Sequence, residues 1–179
     1  MDGVEARLLT TEPPADLLDT ATSVYAAAFA EPPYGEGPAE AAAFRDRVLR
    51  YASERDGFRL VVVDDAGPAG VGMAVLARPG DWWRDRVAAA LDPPLVERWL
   101  GDRCLEVVHL AVHPRVRGRG LGRLVHDLLI AGSPAPTAVL TCDPRAEPAT
   151  RLYTARGWYP LADSVPAGDH PMTLYARTV

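Results

Sequence analysis

The residues best suited to chemistry lie in one run, His113-Pro114-Arg115-Val116-Arg117-Gly118-Arg119-Gly120-Leu121-Gly122. A β-rich segment, Leu105 to Val112, leads into it. An apolar stripe of Leu121, Leu124, Val125, Leu128 and Leu129 starts inside it, and its spacing is that of an amphipathic helix. The run therefore predicts a strand, a glycine-rich turn and an exposed helix N-terminus. The first amides of a helix have no partner within it, and the helix dipole favours an anion at the same point. Glycine lets a phosphate approach with no Cβ in the way. The spacing is neither the dinucleotide fingerprint, with glycine first, third and sixth, nor a P-loop ending in Gly-Lys-Ser/Thr, which disfavours nicotinamide binding and nucleotide hydrolysis. The bland alternative is a tight surface turn with solvated arginines.

Two titratable residues share the strand before this turn, Glu106 and His109. An imidazole ordinarily titrates near neutrality, which suits a proton acceptor. In a regular strand the two side chains face opposite sides, so both reach one cleft only across a bulge. His109, His113, His126 and His170 form no recognisable ligand pattern with Cys104 and Cys142, so no metal is expected. The two cysteines read as reduced core residues.

The elements that must position these groups alternate along the chain. Leu17, Ala21, Val24, Tyr25 and Ala28 recur at helical spacing until Pro32-Pro33, and a second helix is expected over Ala39 to Ser53. Phe58 to Val63 and Ala69 to Ala77 read as antiparallel strands joined by Asp64-Asp65-Ala66-Gly67-Pro68. The tryptophan-bearing stretch Asp81 to Gly101 predicts two short helices. Leu105 to Val112, the helix from Leu121 and the β-rich Thr137 to Cys142 form a βαβ unit, whose strands should be parallel. Pro148 and Gly157 punctuate a further short helix. Trp158 to Ala162 and Met172 to Ala176 look like closing strands. The fold class is α/β with a mixed sheet, and 179 residues suggest a single domain over 1–179.

Composition narrows the partners. The hydrophobic share is 48% and the charged share 24%, as in ordinary globular proteins. A formal charge of −5 argues against nucleic acid, which requires a basic face. All 19 basic residues are arginines, so the chain has no lysine of its own to modify. No window approaches a membrane span and no basic-then-apolar leader is visible, so a cytoplasmic location with no membrane partner is expected.

With these residues on the page, the sequence resembles the GNAT superfamily of N-acetyltransferases. Arg117, Gly120 and Gly122 fit its Arg/Gln-x-x-Gly-x-Gly/Ala motif, and Leu110-Ala111-Val112-His113-Pro114 fits the approach to it. A second motif, Ala-x-x-Leu-Tyr-x-x-x-Gly-Phe, is similar to Ala149 through Trp158. The resemblance is strong from Glu106 to Trp158 and only topological before that.

The resemblance implies a GNAT-like sheet splayed open between the Leu105 and Thr137 strands, with acetyl-coenzyme A (CoA) as cofactor. Arg117, Gly118, Arg119, Gly120, Leu121 and Gly122 would hold its pyrophosphate. Main-chain groups of Leu110, Ala111 and Val112 would line the pantetheine arm, and the Val112 amide would polarise the acetyl carbonyl, a contact of about 3 to 4 kcal/mol in the transition state. The activity implied is direct attack of a primary amine on the thioester. Glu106 is the leading candidate for the group that takes the amine proton, directly or through water, and His109 is its rival. Tyr153 stands where many family members place the acid that protonates the departing thiolate. Ala146 occupies a position where the family often has an asparagine that helps fix the cofactor arm.

The acceptor wall in such proteins includes the turn between the first two helices, here Glu31-Pro32-Pro33-Tyr34-Gly35-Glu36-Gly37. Tyr34 and Glu36 either receive a cationic amine or simply help turn the chain. Trp82, Trp83 and Trp99 belong to a lid, to the core or to a dimer patch. A small-molecule amine is the expected acceptor, and a homodimer is plausible by analogy alone. Two other readings are a catalytically silent CoA-binding sensor or interaction module, and an acyltransferase that uses a longer acyl-CoA.

Overall fold

The computed structural model describes residues 3–168 and 170–179. These residues form two compact units. One runs through Val75 and resumes over Val108–Gly132; the other comprises Leu76–Val107 and Ser133–Val179. Strand β4 (Cys104–Val112) contributes its first half to the second unit and its last half to the first.

In the first unit, β1 (Val4–Leu9), β2 (Arg59–Asp65) and β3 (Pro68–Ala77) pair antiparallel in that order, and β4 follows. Helices α1 (Ala15–Phe29) and α2 (Pro38–Glu54) place Leu18, Val24, Phe44 and Val48 in one core with Leu60, Val62, Val71 and Met73. Helix α5 (Leu121–Ile130) also packs on this sheet, through Val125 and Leu129. Both faces of β2 and β3 are thus covered, which is why their sequences are almost continuously apolar rather than alternating. Gly70 and Gly72 permit the close approach of α5: a Cβ there would lie 2.9 and 2.7 Å from methyl carbons of Val125. Buried Arg59 ties the end of α5 to β2, donating to the carbonyls of Leu129 (2.7 Å), Leu128 (3.2 Å) and Ala131 (2.5 Å).

In the second unit, Cys104–Glu106 of β4 pair parallel with Thr137–Val139 of β5 (Thr137–Cys142). Next come antiparallel β7 (Met172–Thr178) and then β6 (Tyr159–Val165) at the edge. Helices α3 (Trp82–Ala89) and α4 (Pro93–Trp99) supply Val87 and Trp99 to a core with Leu100, Cys104, Val139 and Leu174. Helix α6 (Glu147–Ala155) has Pro148 in its first turn, and Gly157 follows it at φ 78°. The described residues hold seven strands and six α-helices, an α/β fold with a mixed, open sheet.

The expected elements are present, with three differences. Strand β1 is an additional element: its Val-Glu-Ala-Arg-Leu alternation is short and lies on a mostly exposed edge. The β2–β3 turn is two residues, not five: Ala66 and Gly67 both adopt positive φ, the strands run to Asp65 and from Pro68, and Asp64 pairs with Pro68 across a register shift. Strand β6 begins after Trp158 and runs on to Val165 through two register breaks. Cys104 and Cys142 are free and buried.

Candidate active site

The phosphate-binding candidate lies wholly in the first unit. As β4 ends, the His113 amide donates to the Ala69 carbonyl (2.9 Å), and His113 Nδ1 accepts from the Arg115 amide (3.3 Å) to start a single 3₁₀ turn, Pro114–Val116. Buried Val116 anchors that turn. Gly118 (φ 78°) and Gly120 (φ 81°) then take the left-handed conformation, which L side chains rarely adopt. A Cβ at either glycine would meet no described heavy atom within 4 Å, so the space before both is open. Gly120 is the N-cap of α5, and no described side chain caps it. The Leu124 amide donates to Gly120 (3.2 Å), which leaves the amides of Leu121, Gly122 and Arg123 as the helix's first donors. Open, Cβ-free and donor-rich, with Arg117 and Arg119 beside it, this cradle fits a diphosphate group.

The arginines around the cradle have partners. Arg119 pairs with Asp65 (2.6 Å), Arg117 with Glu31, and Arg115 donates to the Pro68 carbonyl (2.9 Å). Burial, then Arg115 and Arg117, hold the His113 imidazole below its ordinary pKa, while Glu31 acts in the opposite sense.

Of the strand residues assigned to the cofactor arm, Ala111 is in the core and Leu110 and Val112 are half-buried. His109 lies against Tyr25, Phe44 and Phe29, with ring centroids 5.2, 5.5 and 5.9 Å away. Its Nε2 is 2.8 Å from Arg47 Nη1. An arginine nitrogen can only donate, so Nε2 is the accepting nitrogen and the ring is neutral. Burial, followed by the Arg47 charge, pushes its pKa down to about 3. That makes His109 a poor rival to Glu106, because its available lone pair is engaged and its conjugate acid is strong.

In the α1–α2 turn, Glu36 accepts a hydrogen bond from the Tyr25 hydroxyl (2.6 Å), and burial and this carboxylate raise the pKa of Tyr25. Glu36 therefore has a structural partner, whereas Tyr34 is exposed and packs its ring 4.8 Å from Phe29.

Glu106 and Tyr153 belong to the second unit. Glu106 is 6% exposed and stands in register with Val139. Tyr153, also 6% exposed, lies on α6 with its ring 5.9 Å from those of Trp158 and Tyr175. Ala146 is the buried N-cap of α6. Trp99 is core, Trp83 donates to Thr141 Oγ1 (3.1 Å), and Trp82 is 60% exposed with Arg86 over its ring. The structure thus brings Leu110–Val112 together with the glycine loop in one unit, and describes Glu106 and Tyr153 in the other. Sequence reasoning missed Glu31, Asp65 and Arg47 as partners. Nothing local marks them, since Glu31 and Arg117 are 86 residues apart.

A glycine cradle at a helix N-terminus, following a strand of a mixed sheet, is a geometry able to hold a phosphate group. The sequence matches the acetyltransferase (GNAT) family over residues 21–158, and the chain belongs to that family, whose members bind acetyl-CoA. Solved structures share the fold at low identity. Mosquito arylalkylamine N-acetyltransferase like 5b is 13% identical, with a TM-score of 0.65 over 98% of this chain and 100% of that one. The ribosomal-protein-S18-alanine N-acetyltransferase of Escherichia coli is 14% identical, with a TM-score of 0.62 over 98% and 94%. The NatC complex bound to Gag peptide and CoA gives 11%, 0.65 and 98% of each chain. No curated protein matches the sequence. Among the described residues no helix is long and apolar enough to cross a membrane.

Proposed function

We propose that the protein is a cytoplasmic, acetyl-CoA-dependent N-acetyltransferase acting on a primary amine of a small molecule. The open glycine cradle at Gly118 and Gly120, within the family motif, is the observation that carries this reading. Bound acetyl-CoA would supply an activated acyl thioester. Arg117, Gly118, Arg119, Gly120, Leu121 and Gly122 would hold its pyrophosphate, and the main chain of Leu110, Ala111 and Val112 its pantetheine arm. The Val112 amide would donate toward the acyl oxygen, where charge develops.

Two side chains manage protons. An alkylamine with a pKa near 10.4 is neutral to about one part in a thousand at pH 7, equivalent to roughly 4 to 5 kcal/mol. Glu106, which is 6% exposed, accepts that proton, directly or through water. The Tyr153 hydroxyl would act as the acid that protonates the departing thiolate, the role a phenol can fill by donating its O–H.

The test is release of CoA thiol across a panel of small primary amines. Wild type should release thiol with at least one of them. Tyr153→Phe should lower turnover about tenfold or more while cofactor affinity stays unchanged. Tight cofactor binding with no thiol release from any amine would instead favour a silent binding module, and stronger competition by longer acyl-CoAs would favour a different acyl donor.

A further inference from the structure

Both guanidinium groups flanking the glycines are neutralised, but by carboxylates of different kinds. Asp65, the partner of Arg119, ends strand β2 with its side chain only 10% exposed, so it is fixed by the sheet. Glu31, the partner of Arg117, lies on the turn between α1 and α2, and the two side chains are 45% and 43% exposed. That turn is short and self-contained. The amides of Tyr34 (3.2 Å) and Gly35 (3.3 Å) return to the Glu31 carbonyl, and the amide of Glu36 to that of Phe29 (2.9 Å). Its far end is fastened where Glu36 meets Tyr25.

We propose that Glu31 gates cofactor affinity: its carboxylate occupies Arg117 in the free protein and gives it up to the cofactor's pyrophosphate. The inference rests on the proposed cofactor. A pyrophosphate and a carboxylate that share one guanidinium repel each other, and the more highly charged group holds it. An exposed ion pair is weak enough to exchange, unlike one anchored on a strand.

Calorimetric titration with acetyl-CoA tests the gate in wild type, Glu31→Gln, Arg117→Gln and the double variant. Glu31→Gln should bind about two- to fivefold more tightly, the range expected on removing one exposed competing pair. The gain should vanish in the Arg117→Gln background. Equal or weaker binding by Glu31→Gln, or a gain that persists without Arg117, would overturn the gate while leaving the cofactor assignment intact. Absence of binding to every variant, wild type included, would overturn both.

Discussion

Glu106 and His109 lie on one strand, and His109 is held neutral among aromatic rings by Arg47. Burial and the Arg47 guanidinium push the His109 pKa down to about 3, and its accepting nitrogen is already engaged by Arg47, so the ring is a weak proton acceptor. The same depression has a consequence for stability. His109 titrates near 6.5 when unfolded and near 3 when folded, so between those values the unfolded chain binds more protons. Its contribution is complete above about pH 6.5 and is lost as the pH falls toward 3. His113 is shifted in the same direction but is far less buried. In urea titrations from pH 7 to 4.5, His109→Gln should lose less stability on acidification than wild type; parallel curves would show that Arg47 and burial do not control this ring. At this scale the glycine loop was legible in the sequence because its chemistry is local. The engagement of His109 by Arg47 was not, since it depends on two elements far apart in the chain.

At the scale of elements, what matters most is the seating of α5, because its N-terminus is the cradle. The apolar stripe announced the helix, but not how near to the sheet it lies. That distance is set by Gly70 and Gly72 on β3, which read in sequence only as two glycines in a valine-rich strand. Gly72→Ala puts a methyl 2.7 Å from Val125 and should cost about 1 to 3 kcal/mol in chemical denaturation. Val125→Ala should recover part of that loss, and no recovery would contradict the packing argument. At the other end of α5, Arg59→Met removes the donor to three carbonyls and should cost about 2 to 3 kcal/mol.

At the scale of the whole molecule, the order of elements and the fold class could be read from periodicity and punctuation, and the family from two motifs. Strand β1 is harder to read, because its Val-Glu-Ala-Arg-Leu alternation is short and neither of its faces is fully buried. The acceptor also stays outside the sequence's reach, since the turn thought to receive it has Glu31 and Glu36 engaged by Arg117 and Tyr25. A cofactor that binds only the folded chain must also stabilise it. At a hundred times its dissociation constant, acetyl-CoA should add about 2.7 kcal/mol to unfolding, seen as a rise in Tm that grows with cofactor concentration.

The most direct test of the central claim is a calorimetric titration of acetyl-CoA into wild type and into Gly120→Glu, with unfolding curves to show that the variant is folded. Gly120 faces open space at φ 81°, so the new carboxylate would stand in the phosphate cradle. The account predicts binding on the order of micromolar for wild type and none for the folded variant. No heat from wild type, or equal binding by both, would mean that the glycine loop is only a turn.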